Sequence, residues 1–268
     1  MIREHHADTP ARRIRYLEAG AGWPVLLIHA FPLSADMWRA QLQSVPDGWR
    51  FIAPDVHGFG GEIPGPTAEP TMDDFAGDVE ALLNVLEIET GVIGGISMGA
   101  YVLFALFRRA PERFSGMVLA DTRAQADSPE GRQARRAMSE LIRRDGPAAV
   151  ADEMMPKLLG EATRRERPEV AAEVRRLILG NTPAGLDGAI HAMMTRPDST
   201  PDLERVSVPT LVIVGDEDVL TPVADSEALH RGIERSQLVV LPRVGHLTCL
   251  EAPDEFSRAL SNFLASNI

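Results

Sequence analysis

Among the residues able to do covalent chemistry, Ser97 sits in the most informative surroundings. It lies in the run Gly94-Gly95-Ile96-Ser97-Met98-Gly99-Ala100. An apolar stretch (Val92, Ile93) precedes it, and an apolar run of helical length, Tyr101 to Ala110, follows. The pattern predicts a strand, a very tight turn and a helix. Such a turn forces its central residue to positive φ and leaves no room for side chains beside it, so Gly95 and Gly99 fit the flanks. Ser97 is then carried out at the tip, near the positive end of the following helix. From there the Met98 N–H can face a developing oxyanion. A glycine-rich turn with an idle serine would not need a strand before it and a helix after it.

This Gly-x-Ser-x-Gly context resembles the nucleophile elbow of the α/β-hydrolases. The resemblance implies a triad in the chain order serine, acid, histidine. Of the seven histidines, His246 alone follows both Ser97 and an acid at a strand end with a small residue, Gly245, before it. Asp218 lies three residues beyond the strand-ending Gly215 and is the favoured acid. Asp216 beside it and Asp121, at the end of the neighbouring strand, are the competitors. His29, Asp55 and His57 all precede the nucleophile and are expected to brace loops. His191 and His230 fall in helical patterns.

The elements that must position these groups follow along the chain. Arg12 to Glu18 alternates charged and apolar residues, as a half-exposed strand does. Val25 to Ile28 is continuously apolar, the signature of a central parallel strand covered on both faces. At its carboxyl end comes His29-Ala30-Phe31-Pro32, then a helix through about Leu42. Ligands bind outside the carboxyl ends of parallel strands, so the Phe31 N–H is placed to act as second oxyanion donor beside Met98. The loop resembles the His-Gly-aromatic-Pro loop of the α/β-hydrolases, most closely the cofactor-free haloperoxidase and aryl-esterase branch, departing from it at Ala30, where glycine is usual; the chain as a whole resembles these and the 3-oxoadipate enol-lactonases. Phe51 to Ala53 is a further strand before the Asp55-Val-His57-Gly58-Phe-Gly60-Gly61 turn, which lacks the helix start of a dinucleotide-binding loop. Thr71 to Leu86 reads as an N-capped amphipathic helix. Gly116 to Ala120, Val208 to Gly215 and Leu238 to Leu241 read as strands, and a last helix runs from about Glu251 to Leu264.

Between Thr122 and Ser199 the strand and helix alternation stops and helical patterns rich in Arg, Met and Leu take over. Here twelve arginines and Lys157 face twelve acids, in a chain whose net charge is -12. The predicted fold is therefore α/β, a mostly parallel sheet with helices on both faces, with a core of residues 1–121 and 200–268 and a helical cap, or lid, at 122–199. The arginine pairs of the cap (Arg135 with Arg136, Arg143 with Arg144, Arg164 with Arg165, Arg175 with Arg176) invite a substrate-carboxylate reading, but solvated faces beside the interleaved acids are the expectation. Met154, Met155, Leu158, Met193 and Met194 are adaptable apolar residues that could line a pocket from above. With Phe31 and Met98 they predict an uncharged site that favours short to medium acyl chains.

Composition bounds the rest. The 268 residues are 44% hydrophobic and 25% charged, enough for a large core. The acidic balance argues against nucleic acid or anionic membrane as partners. No secretory leader pattern and no run of ~18 apolar residues occurs, so a cytoplasmic location is expected. Cys249 is the single cysteine, and the few scattered histidines offer no metal site; neither metal nor organic cofactor is expected. By the resemblance, the reaction is hydrolysis of a small to medium carboxylic ester or lactone, a small molecule being the only partner expected; the oligomeric state is open. Perhydrolysis and carbon–carbon bond hydrolysis on the same triad are the alternatives, and a non-catalytic small-molecule receptor is the alternative of a different class. A haloalkane dehalogenase would need Asp where Ser97 stands.

Overall fold

The computed structural model describes residues 1–61 and 69–268. Eight strands form one sheet: β1 (Arg3–Asp8), β2 (Arg13–Gly20), β3 (Trp23–Ile28), β4 (Trp49–Pro54), β5 (Gly91–Ile96), β6 (Phe114–Ala120), β7 (Thr210–Gly215) and β8 (Ser236–Leu241), in the spatial order β1-β2-β4-β3-β5-β6-β7-β8. β1 with β2 and β2 with β4 pair antiparallel; every pairing from β4 to β8 is parallel. All six residues of β5 and of β7 are buried. Successive side chains point to opposite faces, so burial of every residue means that both faces are covered. The continuous apolar runs in the sequence have this cause.

The helices are α1 (Arg39–Gln43), α2 (Met72–Val85), α3 (Met98–Arg109), α4 (Pro129–Leu158), α5 (Glu161–Glu166), α6 (Pro168–Leu179), α7 (Pro183–Thr195), α8 (Val223–Gly232), α9 (Thr248–Glu251) and α10 (Pro253–Asn267). α2 starts with a capping box: the Thr71 hydroxyl accepts the Asp74 N–H while the Asp74 carboxylate accepts the Thr71 N–H. The N-cap expected for this helix is thus present, with its partner. α4 to α7 all fall between β6 and β7, where the sequence predicts a helical insertion. α4 is broken at Gly146 (φ 72°), and Pro147 opens its second half, where a missing N–H costs nothing.

Two features differ from the sequence reading. β1 carries no strand pattern in the sequence: it is an edge strand whose one buried residue is Ala7. The helix after Phe31 is short, a 3₁₀ turn at Ala35–Trp38 running into α1. The sheet order reverses between β3 and β5, because β4 lies on one side of β3 and β5 on the other. Loops leaving β3 and β5 therefore part in opposite directions and open a crevice at their carboxyl ends. No helix among the described residues is long and apolar enough to cross a membrane.

Candidate active site

Ser97 occupies the turn between β5 and α3 with φ 53° and ψ −113°, a conformation rare for a residue with a side chain. What holds it there is packing. A Cβ on Gly95 would lie 2.4 Å from the Gly99 carbonyl carbon, and one on Gly99 would lie 2.3 Å from the Ile28 carbonyl oxygen. Only glycines let α3 come this close to β5 and to the exit of β3. The Ser97 N–H donates to Ala120 O, and Thr122 Oγ1 donates to Ser97 O, which ties the turn to the end of β6. The Met98 N–H is the first of α3 and has no intrahelical acceptor.

The β3 exit carries Phe31, in a cis peptide with Pro32. Its N–H has no protein acceptor among the described residues. His29 beneath it is fully buried: Nδ1 lies 3.0 Å from Ala30 O and Nε2 accepts the Val56 N–H at 3.1 Å. Those contacts fix a neutral ring with the proton on Nδ1, and burial pushes its pKa down accordingly. Asp55 accepts from Arg15 Nη1 (2.6 Å) and the Ala35 N–H (2.7 Å). His29 and Asp55 are thus loop braces, as the sequence suggests, while His57 stacks on Phe75 near Asp78.

On the other side of the crevice, Asp218 Oδ2 lies 2.8 Å from His246 Nδ1, both residues being buried. Thr221 Oγ1 donates to the same Asp218 oxygen at 2.6 Å, and the N–H groups of Leu220 and Thr221 donate to Oδ1. Burial by itself would raise the Asp218 pKa; His246 and these donors overcome it and hold the carboxyl below its ordinary value. An ionised carboxylate only accepts, so His246 carries its proton on Nδ1 and presents a lone pair at Nε2.

The competing acids have other duties. Asp216 Oδ1 accepts the N–H groups of Arg243 and Val244 and so shapes the loop after β8. Asp121, fully buried at φ 44°, accepts from the Gly215 N–H and from the N–H and hydroxyl of Thr248. Burial and the nearby Asp218 charge raise its pKa well above the usual carboxylate range. It pins the ends of β6 and β7 and the start of α9, the segment after His246, to one another.

Ser97, His246 and Phe31 line one cavity of about 80 Å³, together with Tyr101, Thr221, Leu220, Met154, Met193, Arg123 and Arg135. Of the five cap residues expected there, Met154 and Met193 are present. Met155, Leu158 and Met194 are not. Adjacent residues on a helix point about 100° apart, so of each Met-Met pair only one member can face the cavity. Met155 packs against the core, Leu158 is fully buried, and Met194 lines an outer cleft with Arg136 and His191. The expectation of an uncharged lining is also overturned, by Arg123 and Arg135. Arg165, Arg175 and Arg176 do pair with acids on helix surfaces. Signals for the missed residues existed. Tyr101 is one helical turn after Ser97, Thr221 is three residues beyond Asp218, and Arg123 follows a strand end.

The end of α4 is fastened to the histidine loop. The His246 N–H donates to Leu158 O at 3.1 Å, and the Glu251 carboxylate accepts the N–H groups of Gly160 (2.8 Å) and Leu247 (3.2 Å). The Glu161 N–H donates to Glu217, in the Asp218 loop, at 2.6 Å.

The chain is 30% identical to 3-oxoadipate enol-lactonase 2 of Acinetobacter baylyi, over 84% of this chain and 82% of the relative. It is 32% identical to a putative non-heme chloroperoxidase of Synechocystis, over 94% of both. A thermophilic esterase of Thermogutta terrifontis, solved with malate bound, superposes with a TM-score of 0.92 at 41% identity, covering 98% of each chain. The family model described as the alpha/beta hydrolase fold matches residues 24–253. A match of that extent runs from β3 through β8 and takes in the Ser97 turn and the Asp218 and His246 loops, and the chain belongs to the α/β-hydrolase fold family.

Proposed function

We propose that the protein is a serine hydrolase that cleaves a small carboxylic ester or lactone through an acyl-enzyme on Ser97. The observation that carries this reading is that the strained Ser97 and a His246 bound to Asp218 line one cavity. Ser97 Oγ attacks the acyl carbon as His246 Nε2 takes its proton, and the oxyanion that forms is received by the N–H groups of Met98 and Phe31. Asp218 holds the imidazole in the reactive tautomer and offsets the imidazolium charge. The imidazolium then protonates the departing alkoxide. Water, deprotonated by the same nitrogen, attacks the acyl-enzyme and releases the acid and free Ser97. The relatives named esterase and enol-lactonase support the reaction class, and α4 to α7 act as the cap over the site.

The cavity of about 80 Å³ is roughly half the ~150 Å³ of an engineered apolar cavity that accepts benzene, which favours short acyl groups. The relative named a putative non-heme chloroperoxidase favours one second reading, perhydrolysis, in which hydrogen peroxide replaces water in the second step. Ser97→Ala tests the proposal. It should cut p-nitrophenyl acetate turnover by about 10³-fold or more with the fold intact, leaving only the contribution of the oxyanion donors, and acyl-enzyme mass should map to Ser97 in the wild type. Near-wild-type turnover in Ser97→Ala would refute the reading.

A further inference from the structure

Arg123 and Arg135, the two cationic residues of the cavity lining, belong to a cluster built around Asp127. Asp127 is buried, and three arginines converge on it: Arg196 Nη1 at 2.9 Å, Arg135 Nε at 3.1 Å and Arg123 Nη2 at 3.5 Å. Arg196 is committed to structure. It also donates to the carbonyls of Met193 and Gln125, and its guanidinium carbon lies 4.0 Å over the Tyr101 ring. Arg135 and Arg123 are not so committed. Arg135 uses only Nε on Asp127, and Arg123 makes one long contact while its Nε is buried with no partner among the described residues.

Three guanidinium groups thus share one carboxylate in a partly enclosed site. Burial would raise the Asp127 pKa, but Arg135 and Arg196 hold it low, so the carboxylate is ionised and the cluster carries a net positive charge. Asp225 also faces Arg123, without forming an ion pair to it among the described residues. The Arg123 and Arg135 side chains are 31% and 22% exposed, and once a substrate covers them their unused donors are left unmatched unless an anion completes them. Arginine presents a planar fork that takes a carboxylate through two parallel hydrogen bonds.

Resting on the esterase reading above, we propose that the preferred substrate is a short ester or lactone whose acyl part bears a free carboxylate, received by Arg123 and Arg135 while Ser97 attacks the ester carbon. The same pair excludes neutral chains of equal length, because they would leave the guanidinium donors desolvated and unmatched. The small cavity volume limits the spacer between the two carbonyl groups to a few carbons.

Monoethyl succinate and ethyl levulinate make a matched pair, since a methyl ketone replaces the carboxylate at equal chain length. Acid release followed in a pH-stat should give a kcat/KM for monoethyl succinate at least about tenfold above that for ethyl levulinate. Arg135→Gln and Arg123→Gln should each lower that ratio, and the double variant should bring it to about one or below. Arg135→Lys, which keeps charge without the fork, should fall between. Free succinate should inhibit p-nitrophenyl acetate hydrolysis in the wild type and do so at least tenfold more weakly in the double variant; should that variant fail to fold, the single variants carry the comparison. Equal or better use of ethyl levulinate by the wild type, or a ratio that survives the double substitution, would overturn the proposal while p-nitrophenyl acetate hydrolysis leaves the esterase reading standing. Absence of hydrolysis of all three esters would overturn both.

Discussion

Gly99→Ala tests whether the spacing between the serine turn and the β3 exit sets the rate. The added methyl would sit 2.3 Å from Ile28 O and 2.9 Å from His29 O. Ordinary contact starts at 3.4 Å, so the start of α3 and the end of β3 must separate by about 1.1 Å. Both obstacles are backbone, so no side chain can swing aside. Overpacking of this kind costs roughly 1–3 kcal/mol. At about 2–4 °C per kcal/mol for a chain near this size, the melting temperature should fall by roughly 2–12 °C. The separation also moves Ser97 and the Met98 N–H away from the Phe31 N–H, and a displacement of ~1 Å is worth about 10²-fold in rate. Thermal unfolding by circular dichroism and kcat on p-nitrophenyl acetate measure the two effects independently. The expected result is a folded variant with kcat reduced about a hundredfold. A lowered melting temperature with wild-type kcat would refute the link between this spacing and catalysis, and no change in either would refute the packing argument itself.

Asp218→Asn should lower kcat by about 10³ to 10⁴-fold, because the amide can no longer hold the His246 proton on Nδ1; a loss below tenfold would argue against its role. Gly77→Ala in α2 meets nothing nearer than the flexible Arg109 guanidinium at 3.8 Å, so it should stabilise by about 0.5–1 kcal/mol in urea unfolding, and destabilisation would show that α2 is not helical there. The Asp127 pKa is lowered on folding, so its stabilisation is present above the unfolded value of ~3.9 and disappears as pH falls through the lower folded value. Urea midpoints between pH 5 and pH 2 should therefore decline less in Asp127→Asn than in the wild type, and parallel curves would contradict the cluster's energetics.

How far the sequence could be read depends on whether a feature is local. The Ser97 turn is legible because its geometry demands Gly95 and Gly99 within five residues, and β3, β5 and β7 are legible because burial on both faces leaves uninterrupted apolar runs. Asp218 and His246 meet across 28 positions, yet each follows its own strand end, so counting from Gly215 and Leu241 locates both. Arg135 defeats that method. A charged residue on a helix looks the same in sequence whether it faces water or a cavity, and Arg135 differs from its exposed neighbour Arg136 only through the packing of α4 on the core. The choice between Met154 and Met155 is likewise a matter of helix rotation, which the alternation of apolar residues leaves undetermined. β1 escaped because an edge strand with polar residues on both sides lacks the alternation that marks a strand.

The bonds from Leu158, Gly160 and Glu161 to the histidine and aspartate loops bear on how substrate reaches Ser97. The half of α4 after Gly146 cannot lift away without taking the His246 N–H from its acceptor and breaking the Gly160 arm of the Glu251 bridge. A roof hinged on that side would dismantle the base each time it opened. Under the proposed cap, passage would lie on the side formed by the first half of α4, with the Gly146 break separating the two segments. Opening and catalytic alignment are mechanically separate in such an arrangement. The rate on a dissolved ester should then rise smoothly with concentration, with no jump when the ester forms droplets, in contrast to an enzyme whose lid must be peeled back by an oil surface.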